Sequence, residues 1–208
     1  MSADVNKKPE TRIQKRNREA ILDGALDVFS AHGFRGSTLD QIAAAAGLSK
    51  PNLLYYFGSK ELIHQTLLTQ LMDTWLDPLR QIDEAGNPVE ELLDYVSRKL
   101  EMSRRLPRES RLFANEILQG APRIGPQIDG HLKTLVDEKA ELIARWSKAG
   151  RVAPLDPHHL IFSIWATTQH YADFAVQVEG ILGSDVAKTF KAADTFLRDF
   201  YKGALTPG

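Results

Sequence analysis

Residues 38–57 read TLDQIAAAAGLSKPNLLYYF, and this stretch decides the fold. It contains two short runs with apolar residues at helical spacing. Thr38 begins the first run with a glutamine three residues later, the spacing of a capping box, and Gly47 ends it with the positive φ that a tight turn needs. Ser49 begins the second run, where Pro51 falls in the first turn and removes no helical hydrogen bond. The pattern predicts a helix-turn-helix.

The second of these helices has an outward face suited to reading bases. Its best candidates for inward packing are Leu48, Leu53 and Phe57. Two adjacent tyrosines on the other side need a covering surface, which the major groove of DNA would provide. An asparagine can pair with adenine, a lysine with guanine, and an apolar side chain with a thymine methyl group. The residues expected to face DNA are Lys50, Pro51, Asn52, Leu54, Tyr55 and Tyr56.

Phosphate contacts are expected from hydroxyl and ammonium groups around the same helix. Thr38, Ser49, Tyr56 and Lys60 have suitable side chains, and such contacts fix the register on DNA without reading sequence. Paired short helices with alanine and glycine at the turn also occur in plain helical bundles. A helical adaptor without DNA binding is therefore an open alternative at this stage.

Charge is unevenly distributed along the chain. The totals of 26 basic and 27 acidic residues nearly cancel, but residues 1–60 carry nine basic against six acidic residues. The excess lies in the first 18 residues, which have six bases and two acids. Residues 1–12 are interpreted as a flexible basic arm, which would either touch phosphates or act only as a solubilising tail.

The remainder of the chain predicts an all-α fold of about nine helices. Its 208 residues are 25% charged and 43% hydrophobic, the composition of an ordinary globular protein, and helical spacing dominates throughout. One helix precedes the motif and ends at Gly33. The later helices are expected at 60–82, 89–106, 108–119, 128–149, 157–179 and 184–202. Helix 60–82, with a bend expected at Pro78, would connect a DNA-binding domain at 13–60 to a ligand-binding and dimerisation domain at 61–208.

Several classes of protein are excluded by composition. The chain has no cysteine, so disulfides, thiolate catalysis and cysteine-based zinc sites are ruled out. No secretory signal is visible, and no apolar run approaches the ~18 residues of a membrane span. We therefore expect a cytoplasmic protein that contacts no membrane.

The motif and its flanks resemble the DNA-binding signature of the TetR family of bacterial repressors. The resemblance rests on the Gly33–Phe34 ending of the first helix and on Thr38, Ile42, Ala43, Ala46, Gly47, Ser49, Leu53, Tyr56, Phe57, Lys60, Glu61 and Leu62. Two positions depart from the usual pattern, because Pro51 replaces a small residue and Leu54 replaces a tyrosine. These differences bear on the operator sequence and leave the fold unaffected.

The resemblance continues into the C-terminal half. Residues 52–63, 110–122, 135–146 and above all 154–175 (PLDPHHLIFSIWATTQHYADFA) are similar to family members that regulate pyrimidine utilisation. This similarity implies a homodimeric repressor, without cofactor, that uracil or thymine releases from DNA.

A planar ligand would suit the aromatic residues of the C-terminal half. The rings of Trp75 and Trp165 could sandwich a flat heterocycle, although aromatic residues at helical spacing are as often core. Gln169 lies one turn after Trp165, and its amide offers the donor and acceptor that the edge of uracil requires. Phe113 and Asp173 are weaker candidates. A repressor with a different planar or lipophilic effector remains an alternative.

Histidines give a weaker signal for chemistry. His158 and His159 are sequential and point to different helix faces, so a chelating pair is not expected. His170 and Asp173 lie three residues apart, which leaves open a small helical enzyme acting on pyrimidines. One such pair is no catalytic constellation, so neither an enzyme nor a metal site is our main hypothesis.

The last two predicted helices have apolar residues on more than one face. Such residues need a partner, and in the TetR family a helix pair of this kind forms a four-helix dimer interface. The residues concerned are Leu160, Ile161, Ile164, Phe174 and Val178 in the first helix, and Phe190, Phe196, Leu197, Phe200 and Tyr201 in the second.

Overall fold

Ten helices form the secondary structure of residues 11–207, the part of the chain that this computed structural model describes, and that range contains no strand. The helices are α1 (Arg12–Gly36), α2 (Leu39–Ala45), α3 (Lys50–Tyr56), α4 (Lys60–Arg80), α5 (Pro88–Arg105), α6 (Pro107–Leu118), α7 (Gly125–Gln127, Ile128–Leu132 and Lys133–Lys148 in direct succession), α8 (Pro157–Asp173), α9 (Ala175–Leu182) and α10 (Val186–Leu205). The all-α prediction is confirmed.

The chain forms two compact units, and the boundary between them lies between Leu67 and Leu68. The boundary falls inside α4, so this helix contributes its first two turns to the N-terminal unit and the rest to the C-terminal unit. The functional limits expected from the sequence, 13–60 and 61–208, remain predictions. The basic arm expected at residues 1–12 lies almost entirely outside the described residues.

The ends of the first three helices form as the sequence predicts. Thr38 and Gln41 make a reciprocal capping box at the start of α2, with the Thr38 N–H donating to Gln41 Oε1 over 2.8 Å. Ser49 caps α3. Gly33 and Gly47 both have a φ of 66°, which breaks α1 near its end and closes the turn between α2 and α3.

A glycine inside α1 lets α2 pack unusually close. Gly24 is buried, and a Cβ atom there would lie 2.9 Å from the backbone nitrogen of Ala46 and 3.0 Å from the carbonyl carbon of Ala45. Only a residue without a side chain fits between the two backbones. This contact fixes where the helix-turn-helix crosses α1.

The prediction of a single helix over residues 157–179 is wrong, because the structure has two helices there. Phe174 has a φ of −114° and a ψ of 29°, which ends α8 and starts α9. The Phe174 N–H still donates to the His170 carbonyl, while the Gln177 and Val178 N–H groups donate to the Phe174 carbonyl. The apolar period continues across this break, so periodicity could not reveal it. The split raises the number of helices from about nine to ten.

The core of the C-terminal unit forms around α5, which packs against α8 and α10. Pro78 does not end α4, which continues for two more residues. Residues Ile128–Leu132 of α7 adopt a π-helical turn, a feature that recurs at functional sites. In the described range, none of the helices combines the length and the apolar character needed to cross a bilayer.

Candidate functional site

Helix α3 is anchored by a small apolar core and exposes the rest of its surface. Leu53 and Phe57 are buried against the N-terminal unit and Leu48 is half-buried, so the predicted inward face is confirmed. Ser49 accepts a hydrogen bond from the Asn52 N–H at 3.4 Å, which begins the helix. This packing leaves the opposite face of α3 open to solvent.

The exposed face of α3 carries the side chains that the sequence assigned to DNA. Tyr55 is 73% exposed, the Lys50 ammonium pairs with Asp40 Oδ2 of α2 at 2.9 Å, and Leu54 lies beside them. Exposed polar and apolar groups are thus presented together by one rigid helix. The exposed residues are Ser49, Lys50, Pro51, Asn52, Leu54 and Tyr55, with Thr38 exposed at the start of α2.

Tyr56 differs from its neighbour because it is tied to α1. Its hydroxyl oxygen accepts a hydrogen bond from Asn17 Nδ2 at 2.9 Å, and its carbonyl accepts one from Arg18 Nη1 at 3.1 Å. The Arg18 guanidinium also lies 4.4 Å from the centre of the Phe57 ring. These contacts fix the orientation of α3. A phosphate contact from the Tyr56 hydroxyl remains a prediction.

Lys60 also makes contacts within the unit. Its Nζ donates to the carbonyl oxygens of Phe34 at 2.9 Å and Ser37 at 2.7 Å, and it lies 4.3 Å from the centre of the Phe34 ring. The ammonium therefore joins the first residue of α4 to the end of α1. Its expected phosphate contact remains a prediction.

Four of the five residues predicted to bind a ligand lie around one cavity in the C-terminal unit. Its lining comprises Met72, Trp75, Leu76, Lys99, Phe113, Leu132, Trp165 and Gln169. The cavity volume is about 40 Å³. An apolar cavity that holds a benzene ring measures ~150 Å³, so a pyrimidine ring would have to enlarge this one. The lining is apolar apart from a few polar groups, the usual composition of a small-molecule site.

The two tryptophans of the cavity differ in hydrogen bonding. Trp165 Nε1 donates to the hydroxyl oxygen of Tyr95 at 2.6 Å, so this indole is held in place. Trp75 is buried, and its Nε1 has no hydrogen-bond partner among the described residues. An unpaired donor in a buried site costs free energy until an acceptor reaches it. The geometry therefore favours a ligand that offers an acceptor to Trp75.

Lys99 is a cavity residue that the sequence interpretation missed. Its Nζ lies 3.4 Å from the Trp75 carbonyl oxygen and 4.5 Å from the centre of the Trp75 ring. Burial lowers the pKa of its ammonium from 10.5 to about 7, while the charge of Asp173 acts in the opposite direction. The sequence did contain a signal that Lys99 is buried. It falls three residues after Val96 and four before Ser103, on the buried stripe of α5.

Asp173 is the one predicted ligand residue that does not line the cavity. Its Oδ1 accepts a hydrogen bond from the Ser110 hydroxyl at 2.5 Å, and burial raises the pKa of its carboxyl. His170 is exposed and stacks on Phe174 with ring centres 5.0 Å apart. Within residues 11–207, no group of three or more acidic or histidine side chains could hold a metal ion.

Family models match almost the whole described chain. Residues 21–64 match the model for bacterial regulatory proteins of the tetR family, and residues 68–207 match the model for the C-terminal region of YcdC-like proteins. The first match contains α2 and α3, and the second contains every cavity residue.

Curated relatives include the HTH-type transcriptional regulator RutR of Escherichia coli K12. It is 52% identical to this chain over 174 residues, which cover 84% of this chain and 82% of the relative. The HTH-type transcriptional regulator BetI of Agrobacterium fabrum is 33% identical over 85 residues, which cover 40% of this chain and 41% of BetI.

Solved structures share the fold at low identity. The ketosteroid regulator KstR2 of Mycobacterium tuberculosis superposes with a TM-score of 0.71 and 21% identity, covering 92% of this chain and 95% of its own. AibR, solved with isovaleryl coenzyme A and operator DNA, gives a TM-score of 0.63 at 24% identity, covering 75% of this chain and 85% of its own.

Proposed function

Since this chain belongs to the TetR family of bacterial regulatory proteins, we propose that it is a homodimeric repressor released from operator DNA by uracil or thymine. Family membership makes the chain a transcriptional regulator and not an enzyme, so the pyrimidine enzyme and the adaptor without DNA binding are set aside. We place the repressor in the cytoplasm, with the chromosome.

The exposed face of α3 is the observation that carries DNA binding. Asn52 and Lys50 provide the groups that recognise adenine and guanine, and Tyr55 and Leu54 provide contact area for thymine methyl groups. Thr38, Ser49, Tyr56 and Lys60 are the residues proposed to contact phosphates, which fixes the register on DNA without reading its sequence.

The cavity of the C-terminal unit is the proposed effector site. Trp75, Trp165 and Phe113 offer ring faces to a flat molecule, and Gln169 offers an amide to its edge. Asp173 does not line the cavity and would affect the effector site indirectly, because its charge acts on Lys99. The choice of uracil or thymine rests on the resemblance of residues 154–175 to regulators of pyrimidine utilisation and on the 52% identity with RutR.

Apolar side chains exposed on the last three helices support a homodimer. Phe174 lies at the junction of α8 and α9, and Phe196 and Phe200 stack on each other along α10. All three are more than half exposed. A two-fold pairing through these helices would bury them and present two α3 helices to major grooves ~34 Å apart. Among the apolar residues of these helices that the sequence analysis singled out, five are buried within the unit and form its inward faces: Leu160, Ile161, Ile164, Leu197 and Tyr201.

Helix α4 is the proposed route between effector and operator. It carries Trp75 and Met72 of the cavity and, without interruption, the residues of the N-terminal unit from Lys60 to Leu67. Enlarging the cavity displaces the cavity end of this helix. An effector that binds the displaced state more tightly by about 1–3 kcal/mol weakens DNA binding about 5- to 150-fold.

Selection of bound DNA from random sequence, with and without uracil, tests the proposal. The selected operator is then titrated by fluorescence anisotropy, and we expect uracil to lower its affinity within the range given above. Tyr55→Ala should abolish selection, whereas Leu118→Ala should not, because Leu118 is 84% exposed on α6 of the other unit.

Two results would contradict separate parts of the proposal. Failure to bind any oligonucleotide at low salt would refute the repressor. An operator affinity that changes with neither uracil nor thymine would refute the pyrimidine effector, while the assignment as a repressor would still hold. Thermal shifts across a panel of planar and lipophilic metabolites would then identify the alternative effector, because a ligand that binds only the folded state raises its stability.

A further inference from the structure

The polar groups of the cavity are mostly hydrogen-bond donors. Trp75 offers an indole N–H that has no partner in residues 11–207, and Lys99 offers an ammonium. Within residues 11–207, that ammonium makes one hydrogen bond, a 3.4 Å contact with the Trp75 carbonyl that is longer than a usual N–H···O bond. The Trp165 N–H is committed to Tyr95. Gln169 offers both a donor and an acceptor, so the site has more donors than acceptors to offer a ligand.

Few groups around Lys99 can balance the charge of its ammonium. It is 1% exposed, so water contributes almost nothing. Among the described residues, Asp173 of α8 supplies the carboxylate whose charge acts on Lys99. That carboxylate already accepts a hydrogen bond from Ser110 of α6 and is influenced by Arg111 and His170. Helix α4 presents only Trp75 and apolar residues to the cavity.

On its own helix, Lys99 has Tyr95 one turn away. Burial raises the pKa of Tyr95, so this phenol stays neutral. A buried ammonium with so few partners is stabilised by any acceptor atom that a ligand brings within hydrogen-bond distance.

We propose that Lys99 is the specificity-determining residue of the effector site, selecting a ring carbonyl oxygen over a ring amino group. The inference rests on the proposed function, because it takes the cavity as the effector site. Uracil has two carbonyl oxygens, one for Lys99 and one for the Trp75 N–H. Cytosine has an amino group in place of one of them. An amino group facing an ammonium offers it no acceptor, and a site built for a hydrogen bond rejects a ligand that lacks it.

Binding is also coupled to proton uptake. A carbonyl that accepts from the ammonium favours the charged form of Lys99 and raises its pKa above the value in the free protein, which is about 7. Above pH 7, the complex therefore holds more protons than the free protein. Affinity for uracil falls as the pH rises from 7 toward the pKa of the complex, by up to tenfold per pH unit.

Calorimetric titration of uracil and cytosine into the wild-type protein and Lys99→Met tests the selectivity. The wild-type protein should prefer uracil, and Lys99→Met should reduce the ratio of the two affinities about 10- to 100-fold. Methionine has a similar length and no charge. The matched control is Lys139→Met, which removes a half-buried lysine that donates to the Ile82 carbonyl away from the cavity. Its affinity ratio should equal that of the wild-type protein.

A second measurement needs no variant. Titrations of uracil at pH 8 in two buffers of different ionisation enthalpy give the protons taken up, which should approach one in the wild-type protein. If uracil binds without proton uptake, or if Lys99→Met keeps the wild-type ratio, the role of Lys99 is overturned and the repressor stands. If the wild-type protein binds neither uracil nor thymine, the pyrimidine effector and the role of Lys99 fail together.

Discussion

Replacing Lys99 with methionine should stabilise the protein, by an amount that depends on pH. The ammonium has a pKa of about 7 in the folded protein against 10.5 when unfolded. At ~1.36 kcal/mol per pH unit, this difference corresponds to a cost of roughly 5 kcal/mol. The unfolded state binds more protons between these two values, so the cost is fully present below pH 7 and is lost as the pH rises toward 10.5.

The cost of burying the Lys99 ammonium differs between pH 6 and pH 9. The same linkage relation leaves a cost of roughly 5 kcal/mol at pH 6 and roughly 2 kcal/mol at pH 9. Lys99→Met removes the titrating group and keeps an apolar side chain in its place. We therefore expect the free energy of unfolding to increase on substitution, with the increase larger at pH 6 than at pH 9 by about 2–3 kcal/mol.

Chemical denaturation at pH 6, 7, 8 and 9 measures this difference. Both proteins are held at one concentration, because association of folded chains raises apparent stability. Lys139→Met is again the control and should give no stabilisation, since the Lys139 ammonium donates to the Ile82 carbonyl at 2.9 Å. A stabilisation by Lys99→Met that stays constant from pH 6 to 9, or a loss of stability at pH 6, would show that Lys99 carries no burial cost.

Three further predictions concern packing and polar contacts within each unit. Gly24→Ala should lower the stability of the N-terminal unit by about 1–3 kcal/mol in thermal unfolding, because its Cβ would lie 2.9 Å from the Ala46 nitrogen, whereas Gly58→Ala, with no atom within 4 Å, should have little effect. Asn17→Ala should cost about 0.5–1.5 kcal/mol through the lost hydrogen bond to the Tyr56 hydroxyl, and Tyr56→Phe should cost a similar amount; additive losses in the double variant would contradict the contact. Glu116→Gln should destabilise the C-terminal unit by about 3 kcal/mol in denaturant, because Glu116 is buried and pairs with Arg123 Nη1 at 3.0 Å; an unchanged midpoint would exclude a structural role for this pair.

The fold could be predicted well where local chemistry determines the backbone. Thr38, Gly47 and Ser49 each require a particular backbone geometry, and the structure has it at all three positions. The break at Phe174 could not be predicted, because no proline or glycine marks it and the apolar spacing of α8 continues into α9. Local signals identify helix ends only when a residue with special backbone preferences stands there.

The candidate sites could be predicted only in part. Outward and inward faces of α3 follow from its period, so Leu53 and Tyr55 were assigned correctly to opposite sides. The hydrogen bond between Tyr56 and Asn17 joins residues 39 positions apart, a separation for which a single sequence gives no signal. Lys99 was missed for a different reason. A lysine on an amphipathic helix is usually solvated, and only its register with Val96 and Ser103 distinguished it.

Lys60 has a mechanical consequence for the N-terminal unit. Its two hydrogen bonds and its ring contact fasten the first turn of α4 to the carbonyl groups at the end of α1. The loop between α3 and α4 therefore cannot act as a flexible hinge. A rotation of the first turns of α4 carries α1 with it, and α3 follows because Tyr56 is bonded to Asn17 and Arg18 of that helix. A force that rotates this end of α4 therefore moves α1, α3 and α4 together as one body.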